Sequence, residues 1–204
     1  MSPSISVTRY VVEGQLEEPI LETIATALKE NAIREIDNEA AEKSIGWTNF
    51  ETPFHPDFEG SSFHLGNYLI FSLRIDKKSI PNKMITKKVV QEQARRLNET
   101  GRDALSNQEK KIIKEQIIHN LNAKIPATPN VYDLVWHYEA GSLNFFSNLK
   151  AANEALESLF LQSFGLTLIR MFPYTDAIIK ADLKDSEKDV LNQLTPTLFF
   201  SVQR

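Results

Sequence analysis

The 204 residues are 42% hydrophobic and 25% charged, ordinary proportions for a chain able to bury one sizeable core or two small ones. Cysteine is absent, which excludes disulfides and thiolate metal sites and fits a reducing compartment. The net charge of −4 is unevenly spread: residues 77–124 hold twelve basic and five acidic residues, +7, leaving 11 basic and 22 acidic elsewhere, or −11.

The chain opens on Met1-Ser2-Pro3-Ser4, which lacks the basic and apolar regions of a signal peptide, and no run of about 18 apolar residues follows. A cytoplasmic location is therefore expected. Residues 4–13 are β-branched and partly alternating, which predicts a strand. Over 19–31, Ile20, Ile24, Ala27 and Leu28 recur at helical spacing, with Glu17 and Glu18 suited to the positive end of an amphipathic helix. A strand around Trp47 and another over 68–76 complete a β-α-β-β section, residues 1–76.

Two helices are predicted next, over 82–99 and 106–121, separated by Gly101. Ser106 and Glu109 match the capping-box spacing, and so short a connection predicts an antiparallel hairpin within 77–128. Strands over 131–139 and 142–147 flank Ala140-Gly141; a helix over 149–164 ends at Gly165, and a strand over 166–172 is stopped by Pro173. That β-β-α-β section spans 129–175. In the tail, 176–204, expected to pack on the core, residues 182–194 predict a short acidic helix and 198–202 a last strand. The class is α+β: two small sections joined by a basic helical hairpin. The pattern leaves open whether the strands form two sheets or one, and whether the chain is a single domain.

Motifs for catalysis are missing. There is no phosphate-cradling glycine loop, no Gly-x-Ser-x-Gly elbow and no cysteine nucleophile. His55, Asp57 and His64 share a loop but match no metal-ligand spacing, so no metal and no cofactor are expected. Asp57, Glu59 and Asp76 could serve a metal-dependent nuclease, but no spacing singles them out, and the expected class is binding rather than catalysis. Trp47, Phe50, Phe54, Phe58 and Phe63 could stack on bases, although core packing is the commoner fate of such residues.

The hairpin carries the sharper expectation. A projecting cationic element gains affinity for duplex DNA by releasing condensed counterions, and needs no base-reading residues to do so. Lys83, Lys87, Arg102, Lys110, Lys111, Lys114 and Lys124 are the candidate phosphate contacts. Lys110 and Lys114 share a side of the second helix with Ile117 and Leu121, so that this side passes from cationic near Gly101 to apolar further along. The rival reading is an assembly module in which Ile113, Ile117 and Leu121 meet a second copy or an acidic partner.

An ordered series of residues over roughly 5–175 resembles the bacterial recombination-associated RdgC family. It runs through Gly46-Trp47, Lys77, Ile80-Pro81, Ile85, Lys87, Gly101-Arg102, Glu109-Lys110, Lys114 and Leu121. It continues with Trp136, Gly141, Leu143, Ala151, Glu154, Gly165-Leu166 and Pro173. The resemblance implies a nucleoid-associated protein that binds duplex DNA without strong sequence preference, forms a ring-shaped homodimer around it, and limits access of RecA recombinase. Two departures stand out. Family chains usually run about a hundred residues longer, so the ring need not carry over. The family's Leu-Pro-basic-Ala-Phe element is here Leu121-Asn122-Ala123-Lys124-Ile125-Pro126, so the role of its Phe does not transfer to Ile125.

Overall fold

A computed structural model describes residues 5–58 and 62–195. The first section holds β1 (Thr8–Glu13), α1 (Ile20–Glu30), β2 (Lys43–Thr48), β3 (His64–Leu65) and β4 (Tyr68–Lys77). The hairpin is α2 (Asn82–Thr100) and α3 (Asn107–Asn122). Then follow β5 (Thr128–His137), β6 (Ser142–Phe145), α4 (Lys150–Phe164), β7 (Thr167–Arg170), α5 (Pro173–Lys180) and α6 (Asp185–Gln193). The mixed α+β class holds.

The strands form one antiparallel sheet in the order β2-β4-β5-β6-β1-β7, with β3 paired to β4. The two sections are joined through the ladder between β4 and β5, which runs without a break from Tyr68 opposite His137 to Lys77 opposite Thr128. The hairpin springs from between Lys77 and Thr128, so its two ends are held side by side.

Alternation in the strands sorts the two sheet faces. Tyr10, Leu69, Phe71, Leu73, Leu134, Trp136, Leu143 and Phe145 are buried in one cluster with Ile24 and Leu28 of α1 and Leu156, Phe160 and Phe164 of α4. Each such large side chain, fully buried, contributes about 1.5–3 kcal/mol. Trp47 meets the Phe71 ring edge-on at 5.1 Å and donates through Nε1 to Ser163 Oγ at 2.8 Å. Tyr10 donates to Asn153 Oδ1 of α4 at 2.6 Å, and burial pushes its hydroxyl up to about 12. On the opposite face of β4, Ser72 donates to Asp133, while Arg74 forms a bidentate pair with Asp76 and reaches Glu35 at 2.9 Å.

Gly46 is where two backbones come closest. The edge strand β2 is bonded to residues 31–33 through Trp47 N–H to the Asn31 carbonyl and Ile33 N–H to the Trp47 carbonyl, both at 2.9 Å. A Cβ on Gly46 would lie 2.4 Å from Ile33 N and 2.5 Å from its Cα. Gly46→Ala should cost about 1–3 kcal/mol, the usual range for forcing atoms into a packed site. Urea denaturation checks it: a midpoint unchanged from the parent would contradict the close approach.

Three expectations are revised. β3 was not foreseen. Pro173 does not merely stop a strand; it opens α5 at the first helical position, where a missing N–H costs nothing. β1 begins at Thr8, the first residue with a ladder partner. The strand expected over 198–202 lies outside the described residues. No helix among the described residues is long and apolar enough to cross a membrane.

Candidate nucleic-acid interface

Local signals build the hairpin. Gly101, at φ 63°, takes the left-handed conformation that closes α2, a position favouring glycine. Ser106 then caps α3: Glu109 N–H donates to Ser106 Oγ at 3.2 Å, and Ser106 N–H donates to Glu109 Oε2 at 2.8 Å. Ile113 is fully buried and Leu105 nearly so, and neither belongs to the main cluster.

Arg102 donates to Glu109 Oε1 at 2.6 Å. That bond, with those from Ser106, holds the Glu109 carboxyl down from its ordinary 4.5 to about 2. A carboxylate depressed in the folded state favours folding above its ordinary value, and this contribution is lost as pH falls from 4.5 through about 2. Arg102→Ala should therefore move the Glu109 titration back toward 4.5, read by carboxyl NMR. A midpoint that stays near 2 would contradict the assignment.

The cations fall into three groups. Lys78 is buried and belongs to the root of the hairpin, so it is not part of any exposed field, contrary to its place in the charge count above. Arg95 is bonded to Glu92 and Glu99, Arg96 to Glu92, Arg102 to Glu109, and Lys111 lies 3.9 Å from Glu115. Arg95 and then Arg96 hold Glu92 down to about 2, so its carboxylate stays charged well below its ordinary 4.5. Lys77 at the end of β4, and Lys83, Lys87, Lys88, Lys110, Lys114 and Lys124, are exposed and make no ion pair among the described residues.

An open groove of about 300 Å³ runs between the two helices, with Lys88 and Arg95 on the α2 side and Lys124 on the α3 side, over Ile117 and Leu121. Helical spacing sets Lys110 and Lys114 on the same side of α3 as Ile117 and Leu121, nearer the tip. One face therefore gathers Lys110, Lys114 and Lys124 of the expected set and adds Lys88 and, paired with Glu99 and with Glu92 of the same groove, Arg95. Their seven-residue separation on α2, two turns on one stripe, was the available signal. Lys83 and Lys87 follow a neighbouring stripe, and Arg102 and Lys111 have carboxylate partners. Ile113, named for a self-contact, is 0% exposed and cannot reach a second copy without opening the hairpin.

The aromatic group divides. Trp47, Phe58 and Phe63 belong to the core, whereas Phe50 and Phe54 are exposed, Phe54 lying under the Arg74 guanidinium at 5.4 Å.

Residues 6–176, from just before β1 into α5 with the whole hairpin inside, match the family model described as "Putative exonuclease, RdgC". The chain belongs to the RdgC family. Comparison with curated proteins gives no match. The RdgC description mentions nuclease activity, but among the described residues no three His, Cys, Asp or Glu side chains gather as a metal site would require. Of the carboxylates named for that chemistry, Asp76 is 1% exposed and held by Arg74, and Glu59 lies outside the described residues.

Proposed function

We propose that this RdgC-family protein binds duplex DNA without sequence selectivity, through the grooved face of the α2–α3 hairpin. The family level supports the broad class: RdgC proteins are recombination-associated, DNA-binding proteins of the nucleoid. The observation that carries the finer reading is a projecting hairpin with six exposed lysines lacking carboxylate partners, on a chain whose remainder is acidic.

A duplex carries one negative charge per roughly 1.7 Å of axis, and each lysine brought to a phosphate releases condensed counterions. A helix of the 19 residues in α2 is about 28 Å long at 1.5 Å per residue, so it can span many phosphates. Lys88, Lys110, Lys114 and Lys124 make the principal contacts. Lys83 and Lys87 add to the field from the next stripe, and Arg102 and Lys111, already paired, contribute less. The acidic body repels the duplex and thereby orients it toward the hairpin. Bound along duplex in this way, the protein would sit on the nucleoid and restrict recombination enzymes by occupancy.

The test is fluorescence anisotropy with labelled duplexes of unrelated sequence at several salt concentrations. Four contacts predict that log affinity falls against log salt with a slope of about −3 to −4, nearly the same for every sequence. Salt-insensitive or strongly sequence-dependent binding would contradict the reading.

A further inference from the structure

A buried cation lies at the root of the hairpin. Lys78 directly follows β4 and is only 5% exposed. Its ammonium donates to three backbone carbonyls: Asn122 at 2.6 Å, Glu39 at 2.7 Å and Asp37 at 3.3 Å. All three donors of the group are thus satisfied without a carboxylate. Asn122 is the last residue of α3, so the cation sits on the negative end of that helix.

The same corner carries further ties. Lys78 N–H donates to the Glu42 carbonyl at 2.9 Å, Asn122 Nδ2 donates to Glu42 Oε1 at 3.1 Å, and Ala127 N–H donates to Asp37 Oδ1 at 2.8 Å. The 37–42 segment is thereby stitched to the end of β4, the end of α3 and the start of β5. Among the described residues, the other hydrogen bonds that leave residues 82–122 are local backbone ones, to Pro81 and from Ala123, Lys124 and Ile125.

We propose that Lys78 is a positioning residue: it locks the hairpin at one angle to the sheet, so that the grooved face is presented ready-made. Its consequence for binding rests on the duplex reading above, whereas its consequence for geometry does not. A charged group buried on three dipoles holds direction better than an apolar contact, because any swing of the hairpin strands the ammonium and its carbonyls together.

The absence of cysteine makes the test direct. Spin labels on Asp103→Cys, at the hairpin tip, and Lys150→Cys, on α4, report the hairpin-to-body distance in the full chain. The parent should give a narrow distance distribution and Lys78→Met a broad one. Emission of the buried Trp47 and Trp136 would stay native. Duplex affinity should fall about tenfold, as expected if one molecule in ten holds the competent orientation. The salt slope should not change, because every phosphate-contacting lysine is still present.

An unbroadened distribution in folded Lys78→Met would overturn the proposal. So would a salt slope that drops together with affinity, since Lys78 would then be a phosphate contact. If Lys78→Met does not fold, Asn122→Ala, which loses only the Glu42 strut, should broaden the distribution in the same direction by less; no broadening there overturns the proposal too. Broadening in a protein whose parent binds no duplex supports the lock and removes only the duplex reading.

Discussion

Changing Lys88, Lys110 and Lys114 together to glutamate should abolish duplex binding at moderate salt. The three side chains are exposed and make no ion pair among the described residues, so reversal breaks no structural contact and acts on the ligand alone. At about 1 kcal/mol for each lost phosphate contact, with repulsion added, affinity falls at least roughly a hundredfold. The charge-matched control is Lys29→Glu with Lys150→Glu and Lys180→Glu: all three are exposed, all lie outside the hairpin, and they should leave affinity within about twofold. Equal losses in the two variants, measured by anisotropy, would mean that overall charge rather than the hairpin governs binding.

Arg74→Ala should be the most destabilising single change considered. Arg74 is 4% exposed and Asp76 1%, bonded through Nε at 2.8 Å and a second nitrogen at 2.6 Å. The guanidinium also reaches Glu35 and stacks over Phe54, tying the 49–58 loop and the 33–39 segment to the sheet. Its removal leaves Asp76 buried without its partner, a situation that typically costs about 3–5 kcal/mol. For a chain of this size that lowers Tm by roughly 6–20 °C, at about 2–4 °C per kcal/mol. Arg74→Met combined with Asp76→Leu should recover much of the loss, since two apolar groups leave no stranded charge. A Tm within a few degrees of the parent for Arg74→Ala would show that water reaches Asp76.

The hairpin was legible because its punctuation is local. Gly101, Ser106 and Glu109 mark the ends of the two helices within a few residues, and the structure puts those ends where the residues point. The strand expected over 68–76 is likewise β4, although its residues did not say which face Leu69, Phe71 and Leu73 would take. What sequence did not reveal depends on partners far along the chain. Lys78 reads as one more cation among twelve until residues 39, 41 and 44 positions away deliver its carbonyls. Arg102 lies in the turn and not on a helix, so no helical spacing announced its pair with Glu109; the turn folds one back on the other. The groove needed two helices in register before Lys88 and Lys124 could face each other. α5 was hidden by its own proline, which reads as a stop to the preceding strand and is also a start.

Lysine footprinting with and without a random-sequence duplex locates the contact most directly. Amine-reactive labelling followed by mass spectrometry should show protection of Lys88, Lys110, Lys114 and Lys124, with weaker protection of Lys83 and Lys87. Lys150 and Lys180 should react as before. Protection that spares the hairpin and falls on lysines of the body would contradict the proposed interface outright.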